Sequence, residues 1–138
     1  MKDKHKIAFM EIAKRFAQCS TAKRLKVGAI CVHKNESQII SLGYNGTPEG
    51  WDNSCEDDDN NTRPEVIHAE ANMLAKICKS ECSSDGSIVF LTHSPCIECS
   101  KLMYVAGVKQ VYYEIEYRKR DGIEFLQKCG ILVEQIKI

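Results

Sequence analysis

Apolar residues at three- and four-residue spacing open the chain. Ile7, Met10, Ala13 and Ala17, with Phe16 beside them, place one apolar stripe on a helix over residues 3–18. Two Val- and Ile-rich runs follow at 27–32 and 38–44, separated by the polar His33-Lys34-Asn35-Glu36-Ser37, and read as a β-hairpin. The Gly- and Asn-rich stretch over 45–63, with Asn45-Gly46 and Pro48 as turn punctuation, reads as a loop. It is long for a structureless connection, which points to function. A helix is predicted over 65–79 and a strand over 87–92. A second helix is opened by Ser94 as cap and Pro95 in the first turn, and stops at Gly107. A strand over 109–114, a helix over 122–129 stopped at Gly130, and a last strand over 131–136 complete the chain. The order is α-β-β-α-β-α-β-α-β. Its alternating second half implies parallel strands joined by right-handed helical crossovers, and its first half an antiparallel pair. The expected fold is α/β: a single three-layer α/β/α domain over 1–138 on a mixed five-stranded sheet.

Composition narrows the class without changing that picture. The 138 residues suffice for one core, and 43% hydrophobic with 28% charged is ordinary for a globular domain. No apolar run approaches the ~20 residues needed to cross a bilayer. The basic start, Met1-Lys2-Asp3-Lys4-His5-Lys6, leads into no uninterrupted apolar segment, so cytosol is the expected compartment. Basic and acidic residues balance at 19 each. A protein that grips long nucleic acid usually carries a net basic footprint, so balance favours a small substrate. Lys23, Arg24 and Lys26 cluster ahead of the first strand and are candidates for a phosphate contact. The acidic run over 56–59 reads as solvated surface.

Eight cysteines in such a chain raise metal or catalytic roles before disulfides. Cys19, Cys31, Cys78, Cys82 and Cys129 sit in or beside apolar patterns and read as core filler. Cys96 and Cys99 differ. Three apart at the start of a helix, they share a face, and the positive end of the helix dipole favours the thiolates that a metal requires. His68-Ala69-Glu70 stands at the start of the preceding helix. One His and two Cys make three ligands; zinc prefers four, and a three-ligand site leaves the fourth position for water. Two thiolates cancel the charge of the ion, so a nearby base is needed, and Glu70 is that base by position. Two-residue spacing does not align side chains on a helix, so the helix must begin near His68 for Glu70 to reach the metal. Singly, each piece has a blander account: a capping His, a redox Cys-x-x-Cys pair, or a structural zinc completed by Cys55 or Cys19. The conjunction of His-x-Glu, a strand and Pro-Cys-x-x-Cys outweighs these, because it is the known signature of zinc nucleobase deaminases.

The rest of the chain resembles the deoxycytidylate deaminases of the cytidine deaminase superfamily, in their short viral and bacterial forms. The likeness runs through Val27-Gly28-Ala29-Ile30, Gly43-Tyr44-Asn45-Gly46-Thr47-Pro48, Thr62 to Glu70, Ser94 to Cys99 and Tyr117. It implies hydrolysis of dCMP to dUMP and ammonia, supplying dUMP for thymidylate synthesis, with Zn2+ on His68, Cys96 and Cys99. Glu70 would carry protons to the ring N3 and the departing amine. The resemblance further implies that Asn45 bonds the sugar and that the Ala69 N–H holds the pyrimidine carbonyl. The Ser94 carbonyl would accept from the amino group, and Tyr117 would lie over the base. Arg24 and Lys26, with Arg63 behind them, are the phosphate candidates on charge grounds. A hexamer activated by dCTP and inhibited by dTTP is also implied, with Mg2+ accompanying the effector nucleotide. Its effector site would lie at a subunit interface that includes Gly43, Tyr44 and Gly46. The second, structural zinc of some larger relatives is not expected, because the stretch between Cys55 and His68 is short and lacks a further His. Cytidine, adenosine in tRNA, or a zinc-stabilised binding module without turnover remain as alternatives.

Overall fold

The computed structural model describes residues 1–138. The chain runs α1 (Asp3–Ala17), β1 (Gly28–Val32), β2 (Ile39–Tyr44), α2 (Ala69–Cys78), β3 (Ile88–His93), α3 (Ile97–Val105), β4 (Gln110–Ile115), α4 (Asp121–Lys128) and β5 (Leu132–Gln135), the element order that the hydrophobic pattern predicts. The strands form one sheet in the order β2-β1-β3-β4-β5. β1 runs antiparallel to both neighbours, whereas β3, β4 and β5 are parallel. β1 therefore lies inside the sheet with all five of its residues buried, which explains an apolar run without alternation.

Strand alternation sorts the side chains into two cores. Ala29, Cys31, Val89, Leu91, Val111 and Tyr113 meet Met73 and Ile77 of α2, Met103 of α3, and Ile123 and Leu126 of α4. Ile30, Val32, Ile88, Phe90 and Tyr112 face the other way and meet Met10 and Ala13 of α1. The three layers are thus unequal, with one helix on one face and three on the other. No helix is long and apolar enough to cross a membrane.

The structure corrects several local expectations. The buried stripe of α1 is Met10, Ala13 and Ala17, flanked by Phe9 and Ile12, while Ile7 is 39% exposed. Ile7 lies about 60° around the helix from Met10, off the side that meets the sheet. α2 begins at Ala69 and not at 65, because residue 67 is held extended: Gly46 and Ile67 exchange backbone hydrogen bonds of 3.2 and 2.8 Å. α3 is capped by Cys96, whose sulfur accepts the Cys99 N–H, so Ser94 and Pro95 precede the helix. The Ser94 hydroxyl is already engaged, accepting the Tyr117 N–H at 2.7 Å. Of the cysteines expected as filler, Cys31 is buried and Cys129 half-buried, but Cys19, Cys78 and Cys82 are exposed at helix ends or in loops.

Two glycines fix the helices that carry the chemistry. A Cβ on Gly43 would lie 2.3 Å from the Ala69 carbonyl oxygen, so β2 and α2 touch backbone to backbone. A Cβ on Gly122 would lie 2.2 Å from the Pro95 carbonyl oxygen and 2.9 Å from the carbonyl carbon of Cys96, so α4 abuts the start of α3.

Candidate active site

Two helix N-termini bring the predicted donors together. His68 is the N-cap of α2 with extended backbone (φ −66°, ψ 151°), and Cys96 is the N-cap of α3 (φ −72°, ψ 166°). Because His68 stands outside the helix, helical periodicity does not separate it from Glu70 in the first turn. His68 Nδ1 lies 3.4 Å from Cys99 Sγ and 3.7 Å from Cys96 Sγ. Zinc bonded tetrahedrally to nitrogen and sulfur at its usual lengths would separate those atoms by about 3.6 Å. The three donor atoms all lie within 4.8 Å of one another, and neither Cys19 nor Cys55 joins them. The donor set fits zinc with three protein ligands.

The protonation of the cluster follows from its neighbours. The Cys99 thiol and the His68 ring hold the Cys96 thiol far down, at about 4. Beside that thiolate, and buried, Cys99 keeps its proton and is shifted up, while an amide hydrogen bond from Ala71 pulls the other way. The His68 ring is raised by its hydrogen bond to Cys96 against the opposing effect of burial. Without metal, the His68–Cys96 hydrogen bond thus raises the ring and lowers the thiol together, each favouring the charged form of the other. Glu70 is 5% exposed, and burial pushes its carboxyl up to about 7, opposed by its own backbone N–H and aided by the charge on Cys96. A carboxyl at that value can both take and return a proton near neutrality.

His68 and Cys96 form part of the wall of a cavity of about 140 Å³ that opens to solvent. Glu70, Ala69, Ser94, Tyr117, Asn45 and Arg24 line it with them. Ala69 is the first residue of α2, so its N–H has no partner within the helix. Ser94 donates its N–H to Ile115 at 2.9 Å, which ties the ends of β3 and β4 and orients Tyr117. The Asn45 side chain accepts from Val27 N and donates to Leu25 O, both at 2.9 Å, clamping the segment ahead of β1 and leaving one amide hydrogen. Arg24 is half-buried and donates to Thr62 Oγ1 at 3.3 Å. Lys26 is exposed and does not line the cavity. Arg63 points into an adjoining polar pocket and donates to the Glu56 carbonyl. Gly43 is buried under α2, while Tyr44 at the end of β2 and Gly46 on the loop after it are partly exposed.

Glu56 and His93 are among the lining residues that sequence reasoning missed. Glu56, assigned to a solvated acidic run, is buried and accepts two backbone N–H groups. Its apolar neighbour Cys55 is the one local hint of burial. His93 sits edge-on to Tyr117, with centroids 6.3 Å apart, and its Nδ1 lies 2.9 Å from the Thr92 hydroxyl. That hydroxyl also accepts the Gly28 N–H at 3.0 Å, which ties the start of β1 to the end of β3.

Residues 3–115 match the family described as the cytidine and deoxycytidylate deaminase zinc-binding region. The dCMP deaminase of cyanophage S-TIM5, solved in complex with dCMP and dUMP, is 51% identical with a TM-score of 0.95, over 99% of both chains. ComE operon protein 2 of Bacillus subtilis is 35% identical over 94% of this chain and 70% of its own length. Human deoxycytidylate deaminase is 34% identical over 76% of this chain, and the match spans only 61% of the human protein. With the motif carried on the matching fold, this chain belongs to the cytidine and deoxycytidylate deaminase zinc-binding family.

Proposed function

We propose that the chain catalyses the hydrolytic deamination of dCMP to dUMP and ammonia. The observation that carries this reading is the buried Glu70 carboxyl beside the His68, Cys96 and Cys99 donor set, in a cavity whose wall also carries Arg24. Zinc held by His68, Cys96 and Cys99 would supply a Lewis acid at that end of the site. Glu70 takes one proton from the attacking water and passes it to the ring N3 as oxygen adds to C4. It then carries the second proton to the exocyclic nitrogen, which leaves as ammonia. The Ala69 N–H holds the pyrimidine carbonyl, the Ser94 carbonyl accepts from the amino group, and Tyr117 covers the base. Asn45 offers its remaining amide hydrogen to the sugar. Arg24 takes the 5′-phosphate, supported by its place in the cavity wall; Lys26 and Arg63 do not line that cavity.

The same reading extends to regulation and setting. dCTP as activator and dTTP as inhibitor, with Mg2+, would bind between copies in a hexamer around the Gly43–Tyr44–Gly46 loop. The partial exposure of Tyr44 and Gly46, and the open space around Gly46, support this. A cytoplasmic setting belongs to the same proposal. The deciding experiment measures ammonia release from dCMP, deoxycytidine and an anticodon stem-loop, with and without dCTP. Turnover of dCMP well above the other two is expected; preference for either rival overturns the substrate assignment.

A further inference from the structure

The cavity wall also includes Ala22, Arg24, Cys55, Glu56 and Thr62. Glu56 stands out among them as a carboxylate only 9% exposed, on the same wall as Arg24. Its Oε2 accepts the backbone N–H of Lys23 at 3.0 Å and that of Arg24 at 3.2 Å. Two successive N–H groups converging on one oxygen make the kind of concave backbone site that binds phosphate. Here the chain fills that site with its own carboxylate. The Arg24 guanidinium remains, steadied by Thr62. Cys55 and Glu56 also line the polar pocket next door, so they form the partition between the two spaces. Beyond the partition, Lys23 and Arg63 are balanced by Asp57 and Asp58, so that space offers no net attraction to an anion.

We propose that Glu56 is a specificity-determining residue that restricts this part of the cavity to a single phosphate. The proposal rests on the dCMP reading and deepens it. One phosphate pairs with Arg24. A second, farther along the substrate, meets a carboxylate that has already consumed the local N–H donors. Salt screens such a like-charge contact poorly within a nearly buried wall, so the longer nucleotide is rejected by repulsion and not by lack of space.

The test follows ammonia release from dCMP and dCDP in the wild type and in Glu56→Gln. Glutamine keeps an oxygen that accepts both N–H groups and removes only the charge. The wild type is expected to favour dCMP by about 100-fold or more in kcat/KM, and Glu56→Gln to narrow that ratio by about tenfold or more, through KM for dCDP. A residue with a purely structural role would depress both substrates together, so an unchanged ratio overturns the proposal. Should the variant fail to fold, product inhibition of the wild type decides: dUMP must compete with dCMP at least about tenfold more strongly than dUDP does. Equal inhibition overturns the proposal. A wild type that releases no ammonia from dCMP is a separate failure, of the deaminase reading itself, and takes the proposal with it.

Discussion

Gly122→Ala tests whether α4 sets the position of the metal-binding cysteines. The added Cβ would sit 2.2 Å from the Pro95 carbonyl oxygen, against a floor of 3.0 Å for real Cβ contacts. Backbone must therefore move by about 0.8 Å in total, since none of the closest atoms is the end of a flexible side chain except Ser100 Oγ, at 2.7 Å. Metal coordination tolerates errors of only about 0.2 Å in ligand position. Even if α4 absorbs half of the shift, the remainder at Pro95 and Cys96 is about twice that tolerance. Zinc affinity should fall by about 10- to 100-fold, the range for disturbed support of a ligand, with about 1–3 kcal/mol lost from folding through overpacking. Competition with a chromogenic chelator measures the first, and denaturant melts the second. Gly130→Ala is the control. It strains a backbone at φ +81° with nothing within 4 Å of the new Cβ, so it should cost stability and leave zinc affinity alone. Zinc affinity in Gly122→Ala within about threefold of the wild type would refute the reasoning, because a 0.8 Å clash would then have been relieved wholly on the α4 side.

Glu70→Gln should retain one zinc per chain by atomic absorption while turnover of dCMP falls by about 100- to 10,000-fold, the usual range for a lost acid–base group. Zinc loss in that variant would mean that Glu70 supports the metal and does not carry protons. Arg24→Ala should raise KM for dCMP by about 10- to 100-fold, as expected for a lost charge-assisted contact, and change deoxycytidine turnover far less. Lys26→Ala should have the smaller effect of the two, and equal effects would move the phosphate contact out of the cavity. Chelation should abolish turnover reversibly while far-UV circular dichroism persists, because both apolar cores form without the donor set. Unfolding on chelation would favour a zinc whose role is structural.

What was legible in the sequence is what local chemistry dictates. The strands could be read from apolar runs, and the metal donors from residue types that zinc requires at spacings a helix start permits. The beginning of α2 could not, since Val66 and Ile67 continue an apolar helical pattern and it takes the distant Gly46, bridged to Ile67, to hold that residue out of the helix. The capping role of Cys96 was hidden for a similar reason: Ser94 looks like the better cap until its hydroxyl is found on Tyr117. Glu56 shows the limit most clearly. It orients the 23–24 segment from 32 and 33 residues away, so the contact it makes and the different fates of Arg24 and Lys26 have no local signature.

The placement of β3 has a consequence for how the site assembles. β3 is inserted between β1 and β4, with the His68 donor ahead of it in the chain and the cysteine donors just behind it. A slip of one residue along the sheet would displace its end by about 3.3 Å and turn its core side chains to the wrong face. His68 and Cys96 could not then share an ion. The metal site is in effect a register gauge for the central strand: it closes only after that strand has docked correctly, and it is the first place where loosening of the sheet would be felt as chemistry.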